Sequence, residues 1–170
     1  MLKKDAPDAV TLLKDDHRRV EDLFSDFEKA KGDGRKKTIA EKICAELIVH
    51  TELEEKIFYP ACEGKVDEAD LKEAYVEHDS AKVLVAEIAE GGPDDDYYDA
   101  KVKVLKEEVE HHVKEEERRL TGIFSQAKRN GVDMDALGVE LAERQEQLFA
   151  QIKEKGLPKV KLTTMEKTKV

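Results

Sequence analysis

Apolar residues spaced three and four positions apart run through most of this chain, in stretches far longer than a strand. In the first stretch they include Val10, Leu13, Val20, Phe24 and Phe27, which would share one face of a helix. Glycine and proline interrupt the pattern at residues 32–34, 60, 91–93 and 130–131. The pattern predicts helices over about residues 9–31, 35–59, 68–90, 94–120 and 134–154.

Four long helices joined by short loops favour an all-α fold, an up-down-up-down four-helix bundle over residues 1–130. We expect an additional C-terminal helix, within residues 131–156, to pack on the outside of this bundle. Gly156 and Pro158 end that helix. Residues 157–170 are expected to form a flexible tail.

The charge of the chain limits the partners that it can have. Charged residues make up 41% of the sequence and the net charge is −10, so the surface repels the phosphates of nucleic acids. No apolar run reaches the ~20 residues of a membrane span, and the first residues resemble no signal peptide. Cys44 and Cys62 lack a CxxC spacing and are interpreted as reduced thiols, so a cytoplasmic protein is expected.

Each of the four predicted bundle helices has a histidine within its apolar stripe. In the first helix, His17 stands between Leu13 and Val20 at the spacing of the core residues. The second and fourth helices add a glutamate one turn after the histidine, so both side chains point to one place. The inward polar residues are His17, His50, Glu54, His78, His112 and Glu116.

Carboxylates at such positions require a positive charge beside them, because the burial of an unpaired carboxylate is strongly unfavourable. Imidazoles and carboxylates without a thiolate suit iron, manganese or zinc. Two carboxylates that can bridge indicate two metal ions, as in the dinuclear iron centres of helical bundles. A closed structural zinc site would need only about four ligands.

The alternative is a structural helical protein with chance histidines, since a single inward histidine is more often a core residue than a ligand. The joint pattern over four helices favours the metal site. His111 points about 100° away from its neighbour His112, towards solvent or another helix. We expect Glu55 and Glu117 beside the site or on its rim, and Asp16 either in solvent or in contact with a ligand.

The motifs around these residues resemble those of hemerythrin-like, or HHE cation-binding, domains. The resemblance rests on Asp16-His17, residues 50–60, Glu77-His78 and residues 111–116, and it covers roughly residues 9–125. It implies a four-helix bundle that holds two non-haem iron ions joined by an oxo or hydroxo bridge. In this sequence it implies His17 and His50 on one ion, His78 and His112 on the other, and Glu54 and Glu116 as bridges.

Two positions depart from the family pattern. Glu54 stands where oxygen-carrying hemerythrins have a further histidine, so simple oxygen storage is less strongly implied. Gly122 stands where a proline follows the fourth-helix motif, and we therefore expect the fourth helix to run on past it.

The resemblance predicts a diiron protein that binds, senses or reacts with a small oxidant, which would be O2, NO or peroxide. The alternative is an iron-buffering or iron-sensing protein whose folding depends on the metal. An enzymatic activity is left open, and a protein partner is not predicted.

Overall fold

A computed structural model describes residues 5–165, and within them every regular element is a helix, as predicted. None of these helices is long and apolar enough to cross a membrane. The elements are α1 (Ala9–Lys29), α2 (Asp33–Leu53), a π-helical segment (Glu54–Phe58), α3 (Tyr59–Cys62), α4 (Glu68–Glu90), α5 (Tyr98–Glu116), α6 (Ile123–Arg129) and α7 (Met134–Lys155).

The four long helices α1, α2, α4 and α5 form the bundle. In cyclic order, α1 contacts α2, α2 contacts α4, α4 contacts α5, and α5 contacts α1. The additional helix α7 packs against α1 and α2. Its approach is close at Gly138, where a Cβ atom would lie 2.1 Å from the carbonyl oxygen of Pro7, so no larger residue fits there.

The apolar core is divided into two clusters by a polar layer. Along α1, Leu13 belongs to the first cluster, Val20 to the second, and the buried His17 lies between them. The order is reversed along α2, where Leu47 belongs to the second cluster and Leu53 to the first. Because neighbouring helices run antiparallel, the polar positions of all four meet at one depth in the bundle.

The second helical stretch does not end at Pro60, which corrects the predicted boundary. It continues through the π segment into α3 and ends at Cys62. At Tyr59 the backbone N–H bonds to the carbonyl of Glu54, five residues earlier. This wider turn immediately precedes Pro60, whose ring would clash with a carbonyl of a regular α-helix, so the chain passes the proline without stopping.

The fourth helix ends at Glu116 and does not run on past Gly122, so that prediction was wrong. Leu120 adopts a positive φ of 71°, and a new short helix, α6, begins at Ile123. A Cβ atom at residue 122 would lie 2.4 Å from the carbonyl oxygen of Glu116. The glycine therefore permits a tight reversal directly over the end of α5.

Residues 157–165, called the C-terminal segment below, differ from the expected flexible tail. Leu157 and Val160 pack against the second apolar cluster. The backbone amides of residues 163–165 donate hydrogen bonds of 2.5–3.1 Å to the buried carboxylate of Asp79. Helix periodicity carries no signal for such contacts between distant parts of the chain. The remainder of the predicted tail, residues 166–170, lies outside the described residues.

Candidate metal centre

The polar layer brings together all six residues that the sequence singled out. Every one of them is buried, and the two glutamates are almost completely enclosed, with exposed fractions of 0% and 1%. The layer has two halves, each built around a pair of histidines from adjacent helices. The members are His17, His50, Glu54, His78, His112 and Glu116.

The first half-site is formed around His17 of α1 and His50 of α2. Their Nε2 atoms lie 3.1 Å apart. The Oε1 atom of Glu54 lies 3.1 Å from Nε2 of His50, and the Oε1 atom of Glu116 lies 3.3 Å from Nε2 of His17. Four potential ligand atoms, two nitrogens and two oxygens, therefore face one another.

The second half-site is formed around His78 of α4 and His112 of α5, whose Nε2 atoms lie 3.2 Å apart. The Oε2 atom of Glu54 lies 2.9 Å from His78, and the Oε2 atom of Glu116 lies 3.5 Å from His112. Each glutamate thus has one oxygen in each half-site. This arrangement suits two carboxylates that bridge a pair of cations.

Two buried oxygen atoms of this layer make no hydrogen bond: Oε1 of Glu54 and Oε1 of Glu116. Both belong to the first half-site, where the nearest polar atoms are imidazole nitrogens. Lone pairs of oxygen and nitrogen that face one another repel unless a proton or a metal ion lies between them. Ligands about 2.1 Å from an ion and at right angles to each other lie about 3 Å apart, so the observed spacing suits a metal ion.

A ring of four outer carboxylates contacts the opposite nitrogens of the histidines. Each outer carboxylate stands next to an inner residue of its own helix and reaches the histidine of the next helix. These contacts fix which imidazole nitrogen faces the centre. The pairs are Asp16 with His50 (3.1 Å), Glu55 with His78 (3.2 Å), Glu77 with His112 (2.9 Å) and Glu117 with His17 (3.2 Å).

Sequence reasoning located this ring only in part. It placed Glu55 and Glu117 near the site, and for Asp16 it left two alternatives open, exposure to solvent or contact with a ligand. All three residues lie in the ring. It gave no role to Glu77. The sequence did contain a signal for the ring, because each of its members is next in sequence to an inner residue.

Positive charge is required in the layer, and without a metal ion protons supply it. Burial disfavours a charged imidazole, yet the adjacent Glu54 and Asp16 outweigh this and raise the pKa of His50 to about 10. Burial also opposes a charged Glu54, but His50 and His112 hold the pKa of that carboxyl well below its usual range. A metal ion entering the layer would therefore displace protons.

Tyr59 is a further residue of the layer that the sequence analysis missed. Its hydroxyl lies 2.8 Å from Oε2 of Glu54 and 2.6 Å from Oε2 of Glu116, within the second half-site. Burial and the two carboxylates raise its pKa well above the usual range. In a regular α-helix the fifth residue after Glu54 would point about 140° away, and the extra residue of the π turn reduces this offset.

His111 lies outside the layer. Its side chain is 62% exposed and its Nε2 atom lies 3.4 Å from carboxylate oxygens of Glu77 and Glu115. His112, the next residue, points inward. The two histidines are thus separated by the helical phase that the sequence predicted.

A small cavity adjoins the layer on the side of the second apolar cluster. Its volume is about 40 Å³, and all four inner histidines contribute to its wall. A water molecule needs roughly 10–15 Å³ by the same measure, so a diatomic molecule or peroxide fits the space. The remaining wall is mainly apolar and includes Val20, Leu47, Ala81, Val85, Val109 and Val113.

Comparison with known proteins agrees with this arrangement. A family model described as the hemerythrin HHE cation binding domain matches residues 8–124. The fold is similar to the crystal structure of a hemerythrin HHE cation binding domain-containing protein from Mycobacterium kansasii, with a TM-score of 0.73. That likeness has 21% sequence identity and covers 89% of this chain and 95% of the other.

A second similarity is partial. A protein described as a DNA nickase, from Nostoc sp., is 28% identical over 109 residues, which is 64% of this chain. The chain spans 31% of the length of that relative.

Proposed function

This chain belongs to the hemerythrin HHE cation-binding family, and on that premise we propose that its polar layer holds two non-haem iron ions. The pair, joined by an oxo or hydroxo bridge, would bind, sense or react with O2, NO or peroxide. One observation carries the proposal above all others. Glu54 and Glu116 each have one carboxylate oxygen in each half-site.

The ligand set supports iron. In the first half-site two imidazole nitrogens and two carboxylate oxygens converge. In the second, two imidazole nitrogens and one oxygen of Glu54 converge, and an oxygen of Glu116 lies 3.5 Å from His112. Neither Cys44 nor Cys62 is among the converging groups. Such nitrogen and oxygen ligands suit iron, manganese or zinc, and of these zinc has no redox chemistry. Three or four protein donors would leave room for a small further ligand at each ion. An iron pair supplies reversible redox chemistry to a small bound oxidant.

The protein around the layer is suited to such a ligand. The apolar walls of the cavity, among them Val85 and Val109, exclude bulk water. The ring of outer carboxylates holds the four imidazoles in one orientation, which keeps their Nε2 atoms directed to the centre. The chain thus provides a small and largely apolar compartment, which favours small ligands over organic substrates.

A second candidate function, iron buffering or iron sensing, is favoured by the burial of Glu54 and Glu116. Removing the metal leaves both carboxylates within the core, where their charge must be balanced by protons. Metal binding then couples to stability, and occupancy of the site could report iron supply.

The partial likeness to a DNA nickase does not change the proposed partner. The net charge of −10 opposes binding to a phosphate backbone, and we retain the proposal that this chain binds no nucleic acid. A cytoplasmic location is likewise retained as a proposal.

The test is the iron content and absorption spectrum of protein purified in air, with Glu116→Ala and the exposed-site control His111→Ala. We expect close to two irons per chain in the wild type and the control, with a near-ultraviolet band that changes when the reduced protein meets O2, NO or peroxide. Iron near zero in the wild type would contradict any metal function. Bound iron with no spectral response, released reversibly on unfolding, would favour the buffering role.

A further inference from the structure

Two side chains from beyond residue 124, where the family match ends, contact the outer carboxylates of the centre. One is Gln145, in α7, and the other is Thr163, in the C-terminal segment. Each contacts a carboxylate that also contacts a histidine of the layer, and the two carboxylates serve different half-sites.

On the first half-site, the Nε2 amide of Gln145 donates a hydrogen bond of 2.8 Å to Oδ1 of Asp16. The other oxygen of Asp16 accepts from Nδ1 of His50 at 3.1 Å. Asp16 is buried and also pairs with Arg19, so its two oxygens are held in fixed directions. Helix α7 therefore contacts the carboxylate that bonds to the His50 ring.

On the second half-site, the hydroxyl of Thr163 donates a hydrogen bond of 2.5 Å to Oε1 of Glu55. The other oxygen of Glu55 lies 3.2 Å from Nδ1 of His78 and 2.7 Å from Nζ of Lys82. The two half-sites thus have the same series of contacts, in which a side chain from beyond residue 124 bonds to a carboxylate and the carboxylate contacts a histidine. The series are Thr163–Glu55–His78 and Gln145–Asp16–His50.

The C-terminal segment is anchored independently of this contact. The backbone N–H of Thr163 donates to Asp79 at 2.9 Å, and the hydroxyl of Thr164 donates to the same carboxylate at 2.8 Å. Removing the Thr163 hydroxyl would leave these bonds in place. The two hydroxyls thus offer a matched pair: that of Thr163 contacts Glu55 and also accepts a hydrogen bond of 3.3 Å from Lys82, whereas that of Thr164 contacts Asp79 only.

We propose that Gln145 and Thr163 are positioning residues that the region beyond the family match contributes to the metal centre, one for each half-site. The inference rests on the proposed metal function. Through its carboxylate, each residue restrains one imidazole and thereby sets how firmly that half-site holds its ion. Substitution of a group that bonds directly to a metal ligand typically lowers metal affinity by about 10-fold to 100-fold. Gln145 and Thr163 bond to such groups and not to the ligands themselves, so we expect the lower value.

The experiment uses the full-length, iron-loaded protein and the variants Thr163→Val, Thr163→Ser, Thr164→Val and Gln145→Leu. Iron release to a ferrous chelator is followed in solution. After partial release, anomalous diffraction at the iron edge gives the occupancy of each position in crystals. We expect about 10-fold faster release from the His78 side in Thr163→Val and from the His17 side in Gln145→Leu. Thr163→Ser and Thr164→Val should behave as the wild type.

The inference is overturned if Thr163→Val and Gln145→Leu release iron as the wild type does, or if each depletes both positions equally. It is also overturned if Thr163→Ser fails to restore retention. Circular dichroism of each variant shows whether the helices are intact. If the wild type itself binds no iron, the proposed function fails; if the wild type holds two ions and the variants release them normally, only this inference fails.

Discussion

Glu54 connects the two half-sites, because its Oε2 atom lies 2.9 Å from Nε2 of His78 while its Oε1 atom lies 3.1 Å from Nε2 of His50. The two histidines come from different helices, α2 and α4. A single carboxylate at the start of the π segment therefore joins both sides of the layer. Its removal should affect both ions together.

We predict that Glu54→Ala loses both ions, because each half-site loses a ligand atom and the layer as a whole loses one negative charge. Metal content after purification, measured by elemental analysis, should fall from about two ions per chain to near zero. The control His111→Ala, at an exposed position on α5, should keep its metal. Equal metal content in the two variants would remove Glu54 from the site.

The hydroxyl of Tyr59 should contribute more to the stability of the metal-free protein than to that of the iron-loaded protein. In the metal-free protein the single O–H hydrogen of Tyr59 lies within bonding distance of the buried carboxylates of both Glu54 and Glu116. Tyr59→Phe should therefore destabilise the metal-free protein by about 1–3 kcal/mol, the range for a buried acceptor that loses its donor. Thermal unfolding of both forms measures this, and an equal loss in the iron-loaded protein would contradict the expected compensation by the ions.

Much of this arrangement could be predicted from the sequence because it depends on local periodicity. The stripe of α1 identified His17, and the four-residue spacing in α2 and α5 identified two His/Glu pairs. The antiparallel bundle then brings equivalent mid-helix positions to one depth. The 3.6-residue repeat and charge compensation identified the six residues, whereas their division between two ions was implied by the family resemblance.

The parts that escaped prediction depend on departures from that repeat or on distant contacts. Tyr59 enters the layer because a π turn shifts the phase of the helix, and nothing in the simple repeat marks such a turn. Thr163 reaches Glu55 across 108 positions of the sequence. Gly122 was interpreted as permitting a longer helix, whereas it permits a close reversal over Glu116.

That reversal gives a stability prediction. In Gly122→Ala the added Cβ would lie 2.4 Å from the carbonyl oxygen of Glu116, so the turn must shift. We expect the free energy of unfolding to fall by about 1–3 kcal/mol, as for other overpacked positions, measured by chemical denaturation. Gly34→Ala is the matched control, since its Cβ would meet nothing within 4 Å. Equal stability of the two variants would contradict the packing of this turn.

The pH dependence of the metal-free protein follows from His50. Its pKa is raised to about 10 in the folded state, against about 6.5 unfolded, so folding favours the protonated form. The resulting stability is fully present below about pH 6.5 and is lost as the pH rises through about 10. Denaturant midpoints between pH 6 and pH 10 should fall for the metal-free protein. The pKa values of His17 and His112 are raised as well, so these two groups contribute in the same direction. A His50→Gln variant, measured in parallel, should therefore show a shallower dependence, and an unchanged slope would assign it to the other two histidines.

The most direct test of the bridged centre is anomalous diffraction at the iron edge from crystals of the iron-loaded protein. We predict two peaks within the polar layer, one beside His17 and His50 and one beside His78 and His112, with the carboxylates of Glu54 and Glu116 between them. A single peak, or crystals in which both carboxylates turn away from the imidazoles, would contradict the carboxylate-bridged pair.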